Sequence, residues 1–256
     1  MPSDVTRSQQ AADQPYTGEV SPGDDAAAPD AVPEPPADAA ERFGSGLALA
    51  RRYAELLAGP GVERGLLGPR EVERLWDRHL LNCVALSELI PERSWVVDVG
   101  SGSGLPGLVL AIARPDLDVT LLEPLLRRTV FLAECIEELG LRNAEVLRGR
   151  AEEWARRMKA DVVTARAVAP LDRLVGWCLP LLRGGGTMLA LKGDAASEEL
   201  ASVQNGLSAR GARSWRVVEL GGEPGFPAAR AIRIDLGPAG YKSPSSGGRP
   251  RRGARG

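Results

Sequence analysis

The stretch WVVDVGSGSGLPGLVLAIA, residues 95–113, decides the predicted fold. Its first residues predict a buried strand, its middle is a glycine-rich loop, and its last residues predict an apolar helix. The same alternation recurs four more times downstream, as far as residue 209. Apolar strands that alternate with helices are typical of a mostly parallel sheet covered by helices on both faces. We therefore expect an α/β protein with a doubly wound sheet.

Further elements are predicted on both sides of this repeat. Two strands, 214–220 and 231–236, follow without a helix between them, which predicts an antiparallel hairpin at one edge of the sheet. Two helical segments, about 44–58 and 69–89, precede it, and the first is expected to stop at Gly59-Pro60. The predicted parts are a disordered acidic extension (1–40), a helical cap (41–93), the sheet domain (94–240) and a basic disordered tail (241–256).

The two tails carry opposite charge. Residues 1–40 hold eight acidic groups against Arg7 alone, whereas residues 242–256 hold five basic groups and no acid. Both segments have few large apolar residues, so neither can bury enough surface to offset its chain entropy. The basic tail suits contacts with phosphates, and a merely solubilising extension is an equal alternative.

The composition excludes several classes of protein. No run of 18 apolar residues is available to span a bilayer, and no secretory signal precedes the first helix, so we expect a cytoplasmic protein without membrane contact. The three cysteines are far apart, and His79 is the single histidine. The few Cys and His residues therefore argue against a Cys/His zinc site and against a Ser-His-Asp triad, and we expect no metal. We further expect a monomer.

The glycine-rich loop after the first strand is the candidate ligand site. Ligands of doubly wound sheets bind beyond the carboxyl ends of the strands, where strand order reverses. Gly100, Gly102 and Gly104 allow a ligand to approach the main chain, and the helix that begins near Leu105 directs free N–H groups into the same space. Gly107 is expected to allow tight packing between strand and helix.

Asp98 bears on which cofactor this loop would bind. The loop also fits GxGxxG, so a nicotinamide or flavin dinucleotide must be considered. An ionised carboxylate two residues before the first glycine would repel a diphosphate. S-adenosylmethionine has no phosphate, and its ammonium group could pair with Asp98, so the charge pattern favours this cofactor.

Later strand ends supply further candidate site residues. Glu123 ends the second strand, where its carboxylate can accept hydrogen bonds from both hydroxyls of a ribose. Ala151 and Glu152, after the third strand, are expected beside the adenine ring. Arg166 ends the fourth strand and Lys192 the fifth, at the rim where a transferable methyl group should emerge.

Six motifs resemble one known family, the bacterial small-subunit ribosomal RNA methyltransferases RsmG, also called GidB. They are RHLLNC (78–83), DVGSGSGLPG (98–107), LLEPLLRRTVFL (121–132), GRAEEW (149–154), TARAVAPLDRLVGWC (164–178) and LALKG (189–193). The resemblance implies a Rossmann-like class I S-adenosylmethionine-dependent methyltransferase that modifies N7 of one guanine in the decoding-region loop of 16S rRNA. It places cofactor contacts at Gly100, Leu105, Ala151, Glu152 and Arg166.

The same resemblance guides the expectations for RNA. Arg78, His79 and Arg128 are candidate contacts to 16S rRNA, the small ribosomal subunit or an assembly intermediate. Asn82 and Cys83 stand where the family usually has Asp-Ser, so the cap departs from the family more than the cofactor site does.

The chemistry of guanine N7 suits the residues that are present. N7 carries a lone pair and no proton, so methyl transfer to it needs no general base. The protein then accelerates the reaction by holding N7 in line with the methyl group. We hypothesise that Arg166 and Lys192 hold the guanine O6 or flanking phosphates. Three alternatives remain open: a methyltransferase for a small molecule or protein, a non-catalytic RNA-binding or assembly factor, and a dinucleotide-dependent oxidoreductase.

Overall fold

The protein forms one seven-stranded sheet with helices on both faces. The computed structural model describes residues 32–155, 157–222 and 228–243. Along the sheet the strand order is β3-β2-β1-β4-β5-β7-β6. The strands are β1 (Trp95–Val99), β2 (Asp118–Glu123), β3 (Ala144–Arg148), β4 (Ala160–Arg166), β5 (Leu182–Lys192), β6 (Ala212–Leu220) and β7 (Ala229–Leu236).

Strand direction confirms the predicted topology. Strands β1 to β5 pair with one another in parallel, and β7 is antiparallel to both β5 and β6, so the predicted hairpin closes one edge. The chain builds outward from β1 through β2 to β3, then returns to place β4 on the other side of β1. The carboxyl ends of β1 and β4 therefore border the switch point where doubly wound sheets bind ligands.

Eight α-helices lie among the described residues. They are α1 (Ala39–Phe43), α2 (Leu47–Leu56), α3 (Leu81–Val84), α4 (Gly107–Ala113), α5 (Leu126–Leu139), α6 (Ala151–Trp154), α7 (Leu171–Cys178) and α8 (Ala196–Leu207). Short turns of 3₁₀ or π type join or extend them at Gly44–Gly46, Leu57–Gly61, Pro69–Arg74, Leu75–Leu80, Ala85–Leu89, Leu179–Leu181 and Ser208–Arg210. Among the residues placed by the structure, no helix is long and apolar enough to cross a membrane.

Alternating strand residues feed two apolar cores. On β1, Val96 packs in the core formed with the cap, α4 and α5, whereas Val97 packs in the core formed with α7 and α8. Successive side chains of a strand point to opposite faces of the sheet. Because helices cover both faces of this sheet, the strand must be apolar on both sides. The cap thus lies on one face of the sheet, beside the loop that follows β1.

The first cap helix continues past the predicted stop at Gly59-Pro60. Helical structure runs through Leu57–Gly61 as a wide π turn that contains Pro60. A wider turn relieves the clash between the proline ring and the preceding turn, so proline does not end the helix here. The second predicted segment, 69–89, is helical throughout but changes between 3₁₀, π and α geometry.

The described parts of the two predicted tails contact the rest of the protein. Residues 1–31 and 244–256 lie outside the described residues, but residues 32–40 differ from the expected disorder. The indole Nε1 of Trp76 donates to the carbonyl of Pro33 at 2.8 Å, and Ala39 is fully buried. At the other end, the Lys242 N–H donates to the Arg210 carbonyl at 2.9 Å. Apolar contacts and main-chain hydrogen bonds therefore hold these short flanking pieces on the domain.

Candidate cofactor and substrate site

The loop between β1 and α4 has the backbone that its glycines predict. Gly100, Gly102 and Gly104 all have positive φ, at 70°, 59° and 101°. A Cβ on Gly100 would also lie 2.8 Å from a methyl group of Val168, on the segment after β4. Gly107 has a packing role, as expected, because a Cβ there would lie 2.3 Å from Leu121. Glycine is therefore required at the loop for conformation and for close approach.

Asp98 does not present its carboxylate to a ligand, contrary to expectation. The side chain is fully buried, one oxygen accepts from the Thr164 hydroxyl at 3.0 Å, and the other accepts from the Gly107 N–H at 3.1 Å. Burial raises its pKa to about 6, against the opposing effect of these hydrogen bonds. Asp98 therefore ties the start of α4 to β4, and it is outside the lining of the cavities described below.

Glu123 is the acidic group that does face the ligand space. It is 1% exposed at the end of β2, and its two oxygens accept from the N–H groups of Gly102 and Leu125, both at 3.0 Å. A guanidinium nitrogen of Arg128 lies 3.7 Å from it. Each carboxylate oxygen has a second lone pair, so Glu123 can still accept two hydrogen bonds from a ligand diol.

Two adjoining cavities open over this loop. The larger, of about 580 Å³, is lined by predicted residues Gly100, Gly102, Leu105, Glu123 and Arg166. A smaller one, of about 130 Å³, is lined by Gly100, Ala151 and Glu152 together with the Trp177 ring. The structure thus brings together all the predicted cofactor residues except Asp98 and Gly104. Gly104 instead faces α4 and the cap, where a Cβ would meet Leu108 of α4 and the Tyr53 hydroxyl of the cap.

Arg166 lies at the common wall of the larger cavity and a third one. The third cavity, of about 440 Å³, is lined by Arg166 and Ala167 on one side and by Lys192 and Arg230 on the other. Ala167 has a positive φ of 53°, a conformation that costs energy for a residue with a Cβ and marks this turn as constrained. The structure therefore brings the two predicted catalytic residues to one cavity.

Lys192 is not a free cation in that cavity. Its ammonium donates to Glu199 at 2.7 Å and to the Ala169 carbonyl at 3.0 Å, and its side chain is 10% exposed. The same Glu199 oxygen also accepts from the Leu171 N–H at 2.9 Å. Lys192 therefore fixes the turn between β4 and α7, and its charge is already paired.

The three predicted RNA contacts occupy different environments. The side chains of Arg78 and Arg128 are 49% and 37% exposed, and Arg128 lines the larger cavity. His79 is 7% exposed, and both of its ring nitrogens have partners, Arg166 and Glu71. Its ring is therefore committed to contacts within the protein, which differs from the expected direct role in RNA binding.

Several residues at this site were not foreseen from the sequence. The buried Tyr53 hydroxyl donates to the Ser103 carbonyl at 2.7 Å and thereby joins the cap to the glycine loop. Arg150 lines both cofactor-side cavities, and Val168 covers Gly100. Arg150 lies within the motif GRAEEW, directly before the predicted Ala151-Glu152 pair, and this position was the available signal. The contact between Tyr53 and Ser103 joins residues that are 50 positions apart, so no local sequence pattern indicated it.

Within residues 32–155, 157–222 and 228–243, no group of three or more His, Cys, Asp or Glu residues is arranged to hold a metal ion.

The sheet order and the glycine loop give the chain the fold of class I methyltransferases. The chain resembles the crystal structure of a protein from Agrobacterium tumefaciens, described as a predicted O-methyltransferase, with a TM-score of 0.50 and 15% sequence identity. This similarity covers 62% of this chain and 81% of that one, and at such identity it supports the fold alone.

Sequence comparison identifies the family. The family model for GidB, rRNA small subunit methyltransferase G, matches residues 47–227. The ribosomal RNA small subunit methyltransferase G of Thermobifida fusca is 58% identical, over 78% of this chain and 85% of the relative. The protein of that name from Mycolicibacterium gilvum is 52% identical, over 86% of this chain and 98% of the relative. The chain belongs to the rRNA small subunit methyltransferase G family.

Proposed function

We propose that this protein transfers a methyl group from S-adenosylmethionine to N7 of a guanine in the decoding-region loop of 16S rRNA. The observation that carries the proposal is the pair of adjoining cavities over the glycine loop, with the buried Glu123 carboxylate at the larger one. Their lining has the parts that an adenosine needs, an acidic group for the ribose and a narrow slot for the base. Family membership supports the substrate.

Each part of the cofactor has a proposed position. The adenine ring enters the smaller cavity, between Val168 and the residues Ala151 and Glu152 that follow β3. The ribose hydroxyls donate to Glu123, whose oxygens retain acceptor capacity. The methionine part lies along Gly100 to Ser103, where the main chain is open to the larger cavity. When bound, S-adenosylmethionine supplies a methyl group on a positively charged sulfur.

Asp98 does not distinguish S-adenosylmethionine from a dinucleotide, contrary to the expectation from the sequence. Asp98 is enclosed between Thr164 and Gly107 and does not face the cavity. Glu123, 3.0 Å from the Gly102 N–H, does face it. In dinucleotide-binding sheets a carboxylate at this strand end also binds the adenosine ribose, so Glu123 fits either cofactor. The preference for S-adenosylmethionine therefore rests on family membership.

The acceptor guanine enters from the third cavity. Arg166 and Ala167 form the wall between this cavity and the larger one, so a base there would approach the methyl group from the β4 side. Guanine N7 attacks the methyl group directly, because it has a lone pair and no proton to lose. The N7–methyl bond forms as the methyl–sulfur bond breaks, the sulfur leaves as a neutral thioether, and the positive charge passes to the guanine ring. Arg166 holds the O6 edge or an adjoining phosphate, and Lys192 fixes the turn after β4. Positioning N7 in line with the breaking bond is the main contribution of the protein.

Methyl transfer in vitro tests this function. The full-length protein is incubated with methyl-labelled S-adenosylmethionine and with 16S rRNA, the small subunit, an assembly intermediate or 23S rRNA. We expect label in one or more of the three small-subunit substrates and none in 23S rRNA. Label in 23S rRNA alone, or none in any RNA despite bound cofactor, would refute the proposal.

A matched pair of arginine variants tests the acceptor side. Arg166→Ala should lower turnover by about tenfold or more, the order of magnitude for one lost charged contact. Arg216→Ala is the control, because Arg216 lies on the edge strand β6 with a side chain that is 55% exposed. Full turnover of Arg166→Ala at saturating RNA would contradict the assigned role.

A further inference from the structure

Arg166 is held by the cap through neutral acceptors. One terminal nitrogen of its guanidinium donates to the Cys83 sulfur at 3.1 Å, and the other donates to the Arg78 carbonyl at 3.3 Å and to Nδ1 of His79 at 2.5 Å. None of these three partners carries a negative charge, because burial raises the pKa of Cys83 and keeps it a thiol at pH 7, and neither the carbonyl nor the imidazole is anionic. Arg166 therefore keeps its positive charge uncompensated by these contacts.

The contact with Arg166 determines the tautomer of His79. A guanidinium only donates hydrogen bonds, so Nδ1 of His79 must present its lone pair and the ring proton must be on Nε2. That Nε2–H donates to a Glu71 oxygen 2.8 Å away. Burial and the charge of Arg166 lower the pKa of His79 to about 4, so the ring is neutral at pH 7.

Glu71 thus acts on Arg166 through one intervening ring. It lies in the 3₁₀ turn Pro69–Arg74, at the edge of the cap, and its other oxygen is 3.3 Å from Arg78. By accepting the Nε2–H, Glu71 fixes the rotation of the imidazole and keeps the Nδ1 lone pair directed at Arg166. The path runs from the cap surface to the wall of the acceptor cavity in two hydrogen bonds.

We propose that Glu71 and His79 are positioning residues that fix the Arg166 guanidinium for the acceptor guanine. Three of the five N–H groups of Arg166 point to the cap, which leaves two to donate to O6 or a phosphate. Because the cap partners are neutral, the charge needed to attract that acceptor is retained. This inference rests on the proposed function of Arg166, and it assigns to Glu71 and His79 a role that does not require either to touch RNA.

Two pairs of variants separate positioning from simple packing. In His79→Asn the amide oxygen can occupy the place of Nδ1 and accept from Arg166, whereas in His79→Gln the amide reaches toward the place of Nε2. We expect His79→Asn to keep at least a third of the wild-type kcat and His79→Gln to lose about tenfold. Likewise, Glu71→Gln keeps an acceptor for Nε2–H and should exceed Glu71→Ala in kcat by at least threefold.

Binding and stability measurements accompany these assays. The Kd for S-adenosylmethionine should stay within about twofold of wild type in all four variants. Circular dichroism establishes that each variant is folded. If the two His79 variants have equal kcat, whether both are active or both are impaired, the proposed use of Nδ1 is wrong.

Nitrogen NMR of the ring gives a test that does not depend on activity. His79 is the single histidine of the chain, so its imidazole signals are assigned without ambiguity. We expect a neutral ring with the proton on Nε2 at pH 7, and a change at Nδ1 in Arg166→Ala. A ring protonated at Nδ1, or charged at pH 7, would overturn the inference. If the ring is as expected but the wild type methylates no RNA, the proposed function fails while the hydrogen-bonded arrangement stands.

Discussion

Replacing the buried Asp98 by asparagine should change how stability depends on pH. In the folded protein the pKa of this carboxyl is raised by burial from 3.8 to about 6. The folded state therefore binds the proton more tightly than the unfolded state does, so stability decreases as pH rises from 3.8 through 6. The shift corresponds to a loss of about 3 kcal/mol over the whole interval, of which about 1 kcal/mol falls between pH 5 and pH 7.

The Asp98→Asn variant retains the local hydrogen bonds but cannot ionise. Its carbonyl can accept from the Gly107 N–H, and its amide can donate to the Thr164 hydroxyl, which also has acceptor lone pairs. The free energy of unfolding of the variant minus that of wild type should therefore increase by about 1 kcal/mol from pH 5 to pH 7. Taking this difference cancels the contribution of His79, which titrates in the same range in both proteins.

Urea denaturation at several pH values measures this difference. Asp98→Ala serves as the comparison, because it leaves the buried Gly107 N–H and Thr164 hydroxyl without their acceptor and should be less stable than Asp98→Asn by about 2 kcal/mol or more. A difference between wild type and Asp98→Asn that is constant from pH 5 to pH 7 would refute the assigned burial cost. If this difference decreases as pH rises, the pKa of Asp98 is lowered, not raised, in the folded protein.

Three further predictions concern the loop and the RNA-binding surface. Glu123→Ala should weaken S-adenosylmethionine binding by at least tenfold in calorimetry, through lost ribose hydrogen bonds, and unchanged affinity would contradict that contact. Gly107→Ala should lower the free energy of unfolding by about 1–3 kcal/mol, since its Cβ would lie 2.3 Å from Leu121 and 2.8 Å from Asp98. Gly59→Ala is the control and should not lower it, because a Cβ at Gly59 would enter open space. RNA binding measured by fluorescence anisotropy should weaken steeply between about 50 and 200 mM salt, and a flat response would exclude a basic RNA-binding surface.

Much of the fold could be predicted because the signals are local. A run such as residues 95–113 carries its strand, loop and helix within one window, and glycine at 100 and 102 reports a backbone requirement directly. Glu123 was identified because it ends a strand at the ligand-binding edge of the sheet. Its 1% exposure and its contact with Gly102 agree with a position at the ligand space.

The direction of individual side chains was not accessible in the same way. Asp98 lies one residue before the end of β1, and its carboxylate turns inward because the Thr164 hydroxyl, 66 residues away, and the Gly107 N–H each donate to one of its oxygens. His79 and Arg166 are separated by 87 residues, so no local pattern could show that they touch. The sequence predicts that Lys192 contacts the acceptor guanine, and its pairing with Glu199 depends on where α8 lies relative to the end of β5.

Mapping the modified nucleotide in cells tests the central claim most directly. Ribosomal RNA is isolated from cells that have this protein and from cells that lack it, and N7-methylguanine is located by chemical cleavage or mass spectrometry. The proposed function predicts one N7-methylguanine in the decoding-region loop of 16S rRNA that is present only when the protein is present. Finding that modification at equal levels in both strains would contradict the account.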